Sequence, residues 1–527
     1  MQGPTQLLHQ LKTAFLARLG RLGVRERWNA LSQLNQNWLI NIAIGVAIEI
    51  LVHAMHPVAV ENWAMDRMMR IHALVDPAPM KGRTPPAQVF VDVDDATWRG
   101  KEWGGGEPER APREPMFKLI ETAFNHGSTQ VVLDILVEGD HSARPQYLED
   151  DRKFADGLRG LLTNEHFGAD KQLVLVRSVR HPLPQLALDE GNTPKVLPYP
   201  ALSEIRESPL VDEIVRQSNG RIVVAAPYFA YSSDRLLRNW KLFKVVCQRN
   251  WRGGDGTVRI LPSVQLLVAT RSIGLPAAKM PRQPCEGCTP FPSQELGTLS
   301  GAVELDRRLA ATNEQEHDVS VRYWKELRSA VLSETGRDLG EATFNADALG
   351  NRVVFRRGAD FRTDRYFVQV PARQLLQGDA DEARLTSLFA GRVTVIGQSF
   401  AEAGDQHYTP MGLLPGSVVL LNAIDSMVRY PLVQKPSGLI TLPLALLLIL
   451  FVGYVFARWN SAWGPLICTA IGVPMVAALS FYLFTYGVWL DFALPVIGIL
   501  VHREYKIFEE RRELYALERL ADVRHPH

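Results

Sequence analysis

The sequence predicts an α/β domain with a mainly parallel sheet, joined to an α-helical membrane region of four transmembrane helices. Three features predict it. Apolar runs about one bilayer long lie near both ends of the chain, charged residues concentrate between residues 57 and 435, and short apolar strands alternate with amphipathic helices through that interior. The 527 residues carry 58 Lys+Arg against 57 Asp+Glu, so the net charge of +1 provides no general attraction for nucleic acid. Nucleic acid is accordingly not expected as a partner. An apolar content of 46% also excludes a disordered chain.

The spans come first, because they set which side of a membrane everything else occupies. From Pro436 to Ala457 no charge interrupts 22 residues, and a helix needs about 20 residues to cross a hydrocarbon core. A second apolar run covers Gly464 to Tyr486, and a third, Gly487 to Val501, is shorter and carries Asp491, giving predicted helices over 436–457, 464–486 and 487–503. Near the other end, Trp38 to Met55 is apolar apart from Asn41, Glu49 and His53, and the 37 residues before it exceed a signal-peptide leader. It reads as an uncleaved anchor over 38–56. Ionisable side chains at membrane depth are costly and face protein or water, so Glu49, His53 and Asp491 are read as packing groups ahead of an ion path.

Orientation follows the basic residues. Lys12, Arg18, Arg21, Arg25 and Arg27 precede the first span, Arg458 follows the second, and Arg503, Lys506, Arg511 and Arg512 follow the fourth. Both termini are expected in the cytoplasm and residues 57–435 outside it, in the periplasm of a bacterial inner membrane. Residues 1–37 form a basic amphipathic segment, with Leu8, Leu11, Phe15, Leu19 and Leu22 on one stripe, suited to an anionic leaflet. Residues 504–527 read as a cytoplasmic helical tail with Ile507, Leu514, Leu517 and Ala521 at heptad-like spacing.

The exterior block begins with Gln88 to Asp95, an apolar run ending in three carboxylates, as a buried parallel strand does on reaching a sheet edge. An amphipathic stretch over Pro112–His126, a stop at Gly127 and a strand over Gln130–Leu136 complete a strand-helix-strand unit. Further strands are expected over 172–177, 221–227, 353–357 and 392–397, and helices over 146–162, 262–273 and 414–430. Residues 274–349, rich in Pro and Gly, read as an insertion with a helix near 319–334. Within it, Cys285 and Cys288 are expected to form a loop disulfide suited to an oxidising compartment, with a redox pair or half a zinc site as rivals. Cys247 is expected as a buried thiol, and Cys468 lies in a span.

Candidate ligand-binding residues sit at strand ends, where open parallel sheets bind small ligands. Asp92 and Asp94 share one face of a strand, and Asp134 lies near the end of its neighbour. A small ligand or hard cation there competes with local capping of helices and loops, the preferred reading. Asp405 and His407, near Ser399, invite a hydrolase reading, but no G-x-S-x-G elbow accompanies them. Gly397 and Gly404 fit turn geometry better than a phosphate loop. No catalytic residue, metal ligand or cofactor is assigned, and the chain is not read as an enzyme.

The spelling of the block resembles a known family. FVDVDDATW (Phe90–Trp98) followed by Arg113, GSTQVVLDILVE (Gly127–Glu138), LPSVQLLVA (Leu261–Ala269) and above all GRVTVIGQSFAEAGDQHYTPMGLLPGSVVLLNAIDSMV (Gly391–Val428) are similar to the CHASE-two domain, the second type of cyclase/histidine-kinase-associated sensory extracellular domain. The turn departs from the family's W-P-W-P-R, and Leu421 replaces a His usual before the N-A pair. The resemblance implies an extracellular sensor followed by about three membrane helices. Since the chain ends about 24 residues after the last span, the output is expected from a separate cytoplasmic or membrane partner. The sequence thus leads to a sensor or receptor-like protein with an unidentified extracytoplasmic ligand, for which a homo-oligomer is compatible. The alternative is a structural or assembly subunit of an envelope complex.

Overall fold

The computed structural model describes residues 31–490, with breaks at 56–57, 78–83, 106–110, 138–144, 180–184, 189–193, 198–201, 207, 250–255, 282–287, 289–298, 341, 343–350, 359–365, 379–380, 431 and 460–462, and isolated positions from 504 to 515. Its strands are β1 (Gln88–Val93), β2 (Gln130–Leu133), β3 (Gln172–Val176), β4 (Gln185–Leu188), β5 (Pro194–Leu197), β6 (Ser203–Arg206), β7 (Ile222–Ala225), β8 (Phe229–Tyr231), β9 (Leu237–Trp240), β10 (Phe243–Arg249), β11 (Thr257–Pro262), β12 (Phe367–Pro371), β13 (Val393–Gln398), β14 (Gln406–Thr409) and β15 (Gly412–Pro415). Its helices are α1 (Gln33–Met55), α2 (Val58–Val75), α3 (Asp95–Trp98), α4 (Arg113–Asn125), α5 (Pro145–Thr163), α6 (Pro209–Gln217), α7 (Val264–Ser272), α8 (Leu299–Thr335), α9 (Ala372–Gln377), α10 (Glu382–Phe389), α11 (Gly416–Arg429), α12 (Gly438–Arg458) and α13 (Trp463–Phe484, with a π turn at Cys468–Gly472). Two units result, Met69–Gln434 and the combination of Met1–Met68 with Lys435–His527.

The first unit is built on a six-stranded sheet in the order β12-β1-β13-β2-β3-β7, parallel at every pairing. Strands β1, β2 and β3 are buried throughout, which explains why their sequences run apolar without alternation. Their side chains still divide by parity. Val89, Val91, Leu133 and Leu175 share one core with Leu119 and Phe124 of α4, Phe154 and Leu158 of α5 and Ile214 of α6. Each such side chain contributes roughly 1.5–3 kcal/mol by leaving water. The alternate positions face α7 and α11: Gln88 Nε2 donates to Leu421 O and Gln130 Nε2 to Val268 O.

A smaller sheet, β11-β10-β6, and the hairpins β4–β5, β8–β9 and β14–β15 account for the remaining strands. The smaller sheet corrects the expected cysteine pairing. Cys288 is bonded to Cys247, with Cα atoms 5.8 Å apart, and not to Cys285, which lies outside the described residues. The Cys288 N–H donates to Gly256 O, so the insertion returns beside the start of β11 and reaches a sulfur 41 residues earlier in the chain. Cys247 is therefore buried, as expected, but no longer a thiol.

A second difference concerns residues 353–357, which form no strand of the sheet. Val353 N donates to Arg238 O of β9, and the N–H groups of Val354, Arg356 and Arg357 are taken by side chains of α11. Ser426 Oγ accepts from Val354 N at 2.9 Å, and Asn422 Oδ1 accepts from both Arg356 N and Arg357 N at 2.9 Å. The sheet edge is supplied by β12, whose Gln369 and Pro371 hide the strand pattern in sequence.

In the second unit, α1 packs along α12. Trp38 Nε1 donates to Leu450 O at 3.2 Å and buried Asn41 donates through Nδ2 to Gly453 O at 3.4 Å. The helices approach closely where Gly45 meets Ile449 and Gly453 meets Ile42 and Trp38. Two helices, Leu439–Arg458 and Trp463–Phe484, are long and apolar enough to cross a membrane. The four expected spans thus reduce to two that the described residues show by length and composition. Most of the expected fourth span, including Asp491, lies outside the described residues, as do residues 1–30 and the side chain of Glu49.

Candidate functional site

Parity and register place two of the sequence-predicted residues, Asp92 and Asp134, at the carboxyl end of the sheet. Asp92 lies opposite Gly397 of β13 on one side, and on the other Asp134 N donates to Ile396 O. Gly397 separates the two carboxyls because no larger residue fits. A Cβ there would stand 1.9 Å from Ser417 Oγ and 3.4 Å from Phe90. The first turn of α11 therefore reaches down onto the strand ends.

Asp134 accepts a hydrogen bond from Ser417 Oγ at 2.7 Å. Burial pushes its carboxyl up to about 7 and the Asp405 charge adds to this, while the Ser417 bond and His407 oppose it. Asp92 is 2% exposed and accepts from Gln369 Nε2 at 2.7 Å. Its carboxyl is pushed up to about 6, again by burial first, with Asp94 and Asp95 assisting and bonds from Ser399 and Gln369 opposing. Both groups exchange protons close to neutrality.

Asp405 and His407 complete the cluster from the loop and hairpin between β13 and α11. His407 Nε2 lies 2.8 Å from Asp405 Oδ1, and its Nδ1 lies 2.5 Å from Tyr231 Oη of β8. The Asp405 carboxylate rests on Gly416, where a Cβ would meet Oδ2 at 2.1 Å, and negative charge is favourable beside this first residue of α11. With both ring nitrogens of His407 engaged, neither serves Ser399 as a base, so the geometry gives the hydrolase reading no support.

Asp94 plays a different part. Its Oδ1 accepts from Thr97 N at 2.8 Å and Thr97 Oγ1 at 2.7 Å, capping α3. Sequence reasoning missed Ser417, Tyr231 and Gln369. No local pattern marks them, since the sheet brings them from positions far apart in the chain. Among the described residues no group of three or more His, Cys, Asp or Glu side chains could hold a metal ion.

Every residue of α11 is buried, and its far end holds a second polar cluster. Asp425 accepts from Arg356 Nη1 at 3.3 Å and Arg429 Nε at 3.3 Å, and Arg356 also pairs with Asp76 just past α2. Tyr430 Oη lies 3.1 Å from His72 Nε2 of α2. Burial lowers His72 to about 4, helped by the Arg356 and Arg429 charges against that of Asp425. The ring therefore stays neutral beside two guanidinium groups.

Fold and site together define a parallel α/β domain carrying a polar cluster at its strand ends, in a chain with apolar helices long enough to cross a membrane. The model of the CHASE2 domain matches residues 42–457, and the chain belongs to this family of extracellular sensory domains. The match extends into α1 and α12. No curated protein and no solved structure matches the chain.

Proposed function

We propose that the chain is a non-enzymatic sensor of the bacterial inner membrane, with four spans, both termini in the cytoplasm, residues 57–435 in the periplasm and its output carried by a separate protein. One observation supports this reading above the others. Helix α11 begins at the Asp134–Ser417 contact, ends at the Asp425–Arg429–Arg356 cluster, and precedes the membrane-length helix α12 by eight residues, Tyr430 to Ser437. A change of occupancy or protonation at the strand ends acts on the first turn of a rigid, buried element whose chain continues into a span. A ligand shifts such an element only by its differential affinity for two arrangements.

The Cys247–Cys288 disulfide supports the exterior placement, because such bonds persist in oxidising compartments. The α1–α12 packing supports α1 as a further span, since buried Asn41 finds its acceptor on an apolar helix. Asp92, Asp134, Asp405 and His407 are the proposed ligand-binding residues.

Cross-linking in native membranes followed by mass spectrometry tests the output claim. A second polypeptide attached within residues 504–527 or 1–37 is expected. Attachment confined to residues 57–435 would instead favour an assembly subunit.

A further inference from the structure

We propose that the exposed face of α2 lies on the outer leaflet of the membrane, as an interfacial helix. This rests on the membrane reading above. Two residues separate α2 from the end of α1, so its start is held near the point where that span leaves the bilayer. Along its length Trp63, Arg67, Arg70, Ile71, Leu74 and Val75 are exposed. Their spacing of three and four places them on one stripe.

The opposite stripe, Ala64, Met65, Met68, Met69 and His72, is buried. The helix therefore has apolar groups on both sides, one covered by the protein and one left bare. Leu74 is 86% exposed and Trp63 is 55% exposed, more than a lone surface apolar residue needs to explain.

Charge selects the occupant. The exposed positions of α2 carry two guanidinium groups, Arg67 and Arg70, the latter also donating through Nε to Pro410 O, while the helix's two carboxylates, Glu61 and Asp66, are only partly exposed. Glu61, only partly exposed, is paired with Lys435 at 3.0 Å. A second copy meeting this face about a two-fold axis would set Arg67 and Arg70 against their own counterparts, a like-charge arrangement that is unfavourable. A phospholipid surface supplies what the face lacks. Phosphates meet the two arginines, the acyl boundary receives Ile71, Leu74 and Val75, and the headgroup level suits Trp63, over whose ring Arg67 lies at 5.9 Å. From Trp63 to Val75 the face is about 18 Å long.

Nitroxide accessibility in the full chain tests this. Variants Ile71→Cys and Leu74→Cys, in a background with Cys285→Ser and Cys468→Ala that keeps the disulfide, are labelled and reconstituted in nanodiscs of zwitterionic and anionic phospholipid. Ile50→Cys on α1 serves as the lipid reference and Arg99→Cys on the domain surface as the aqueous one. Labels at 71 and 74 are expected to relax with oxygen and resist a nickel chelate, as at 50, and Arg67→Glu is expected to reverse that ratio at 74. Nickel access at 71 and 74 equal to that at 99 overturns the proposal, and so does exclusion of both relaxants, which marks a protein cover. Aqueous behaviour at position 50 would identify the failure as that of the α1 span itself.

Discussion

Asp134 and Ser417 are joined by a 2.7 Å hydrogen bond that ties the end of β2 to the first turn of α11. The two residues are 283 positions apart in the chain. This bond couples a strand-end carboxyl, pushed up to about 7 by burial, to the first turn of the buried helix that precedes α12 in the chain.

The first prediction concerns that carboxyl. Its value moves from 3.8 to about 7 on folding, so the folded chain keeps a proton that the unfolded chain has released. Stability is therefore expected to fall as pH rises from about 4 to about 7 and to level off above. Asp134→Asn keeps the shape and removes the titration. It should raise stability at pH 8 by roughly 2–4 kcal/mol and change it little at pH 4, read by thermal unfolding of the full chain in detergent. An equal loss at both pH values would contradict the assignment.

Gly397→Ala should be destabilising by about 1–3 kcal/mol, because its new methyl group meets Ser417 Oγ and Cβ. Combining it with Ser417→Gly should recover part of the loss. Additive losses would mean that the helix start does not approach the strand as described.

At the other end of α11, Asp425→Ala leaves Arg356 and Arg429 without their shared carboxylate. Both guanidinium side chains are at most 5% exposed, and stranding buried charge of this kind costs on the order of 3–5 kcal/mol. Asp76→Asn, whose side chain is 53% exposed, should cost much less. Denaturant unfolding of the two variants side by side checks the ranking.

The disulfide gives a covalent prediction. Non-reducing peptide mapping should return Cys247 linked to Cys288, and Cys285→Ser should leave that link intact. Cys247→Ser should lower stability by about 4 kcal/mol, from closure of a loop spanning 41 residues. A peptide linking Cys285 to Cys288 would contradict the structure.

How much of this was legible beforehand differs by element. Strands β1 and β13 announce themselves because burial on both faces leaves them mainly apolar without alternation, and α11 because its closing segment is spelled as in the family. The segment at 353–357 misleads for a definite reason: VVF has strand composition, but Val353 N bonds Arg238 O, Ser426 takes Val354 N, and Asn422 takes the donors of Arg356 and Arg357. The cysteine pairing was illegible because neighbouring cysteines in sequence compete with a return of the chain to β10 and the start of β11, 41 residues away, that no local pattern marks. Of the site, Asp92 and Asp134 could be read as strand-end carboxyls. Tyr231 and Ser417 could not, since their contacts depend on the hairpins and on the glycine at 397. Asp94 shows the limit of reading a face from alternation alone, because its carboxylate turns into the cap of α3.

The central claim is that the sheet domain stands outside the cytoplasm between the spans. Reporters that are active in only one compartment, inserted at Asp360 and fused after His527 in the full chain, test it most directly. The account predicts a periplasmic signal at 360 and a cytoplasmic one at 527; a cytoplasmic signal at 360 would contradict it.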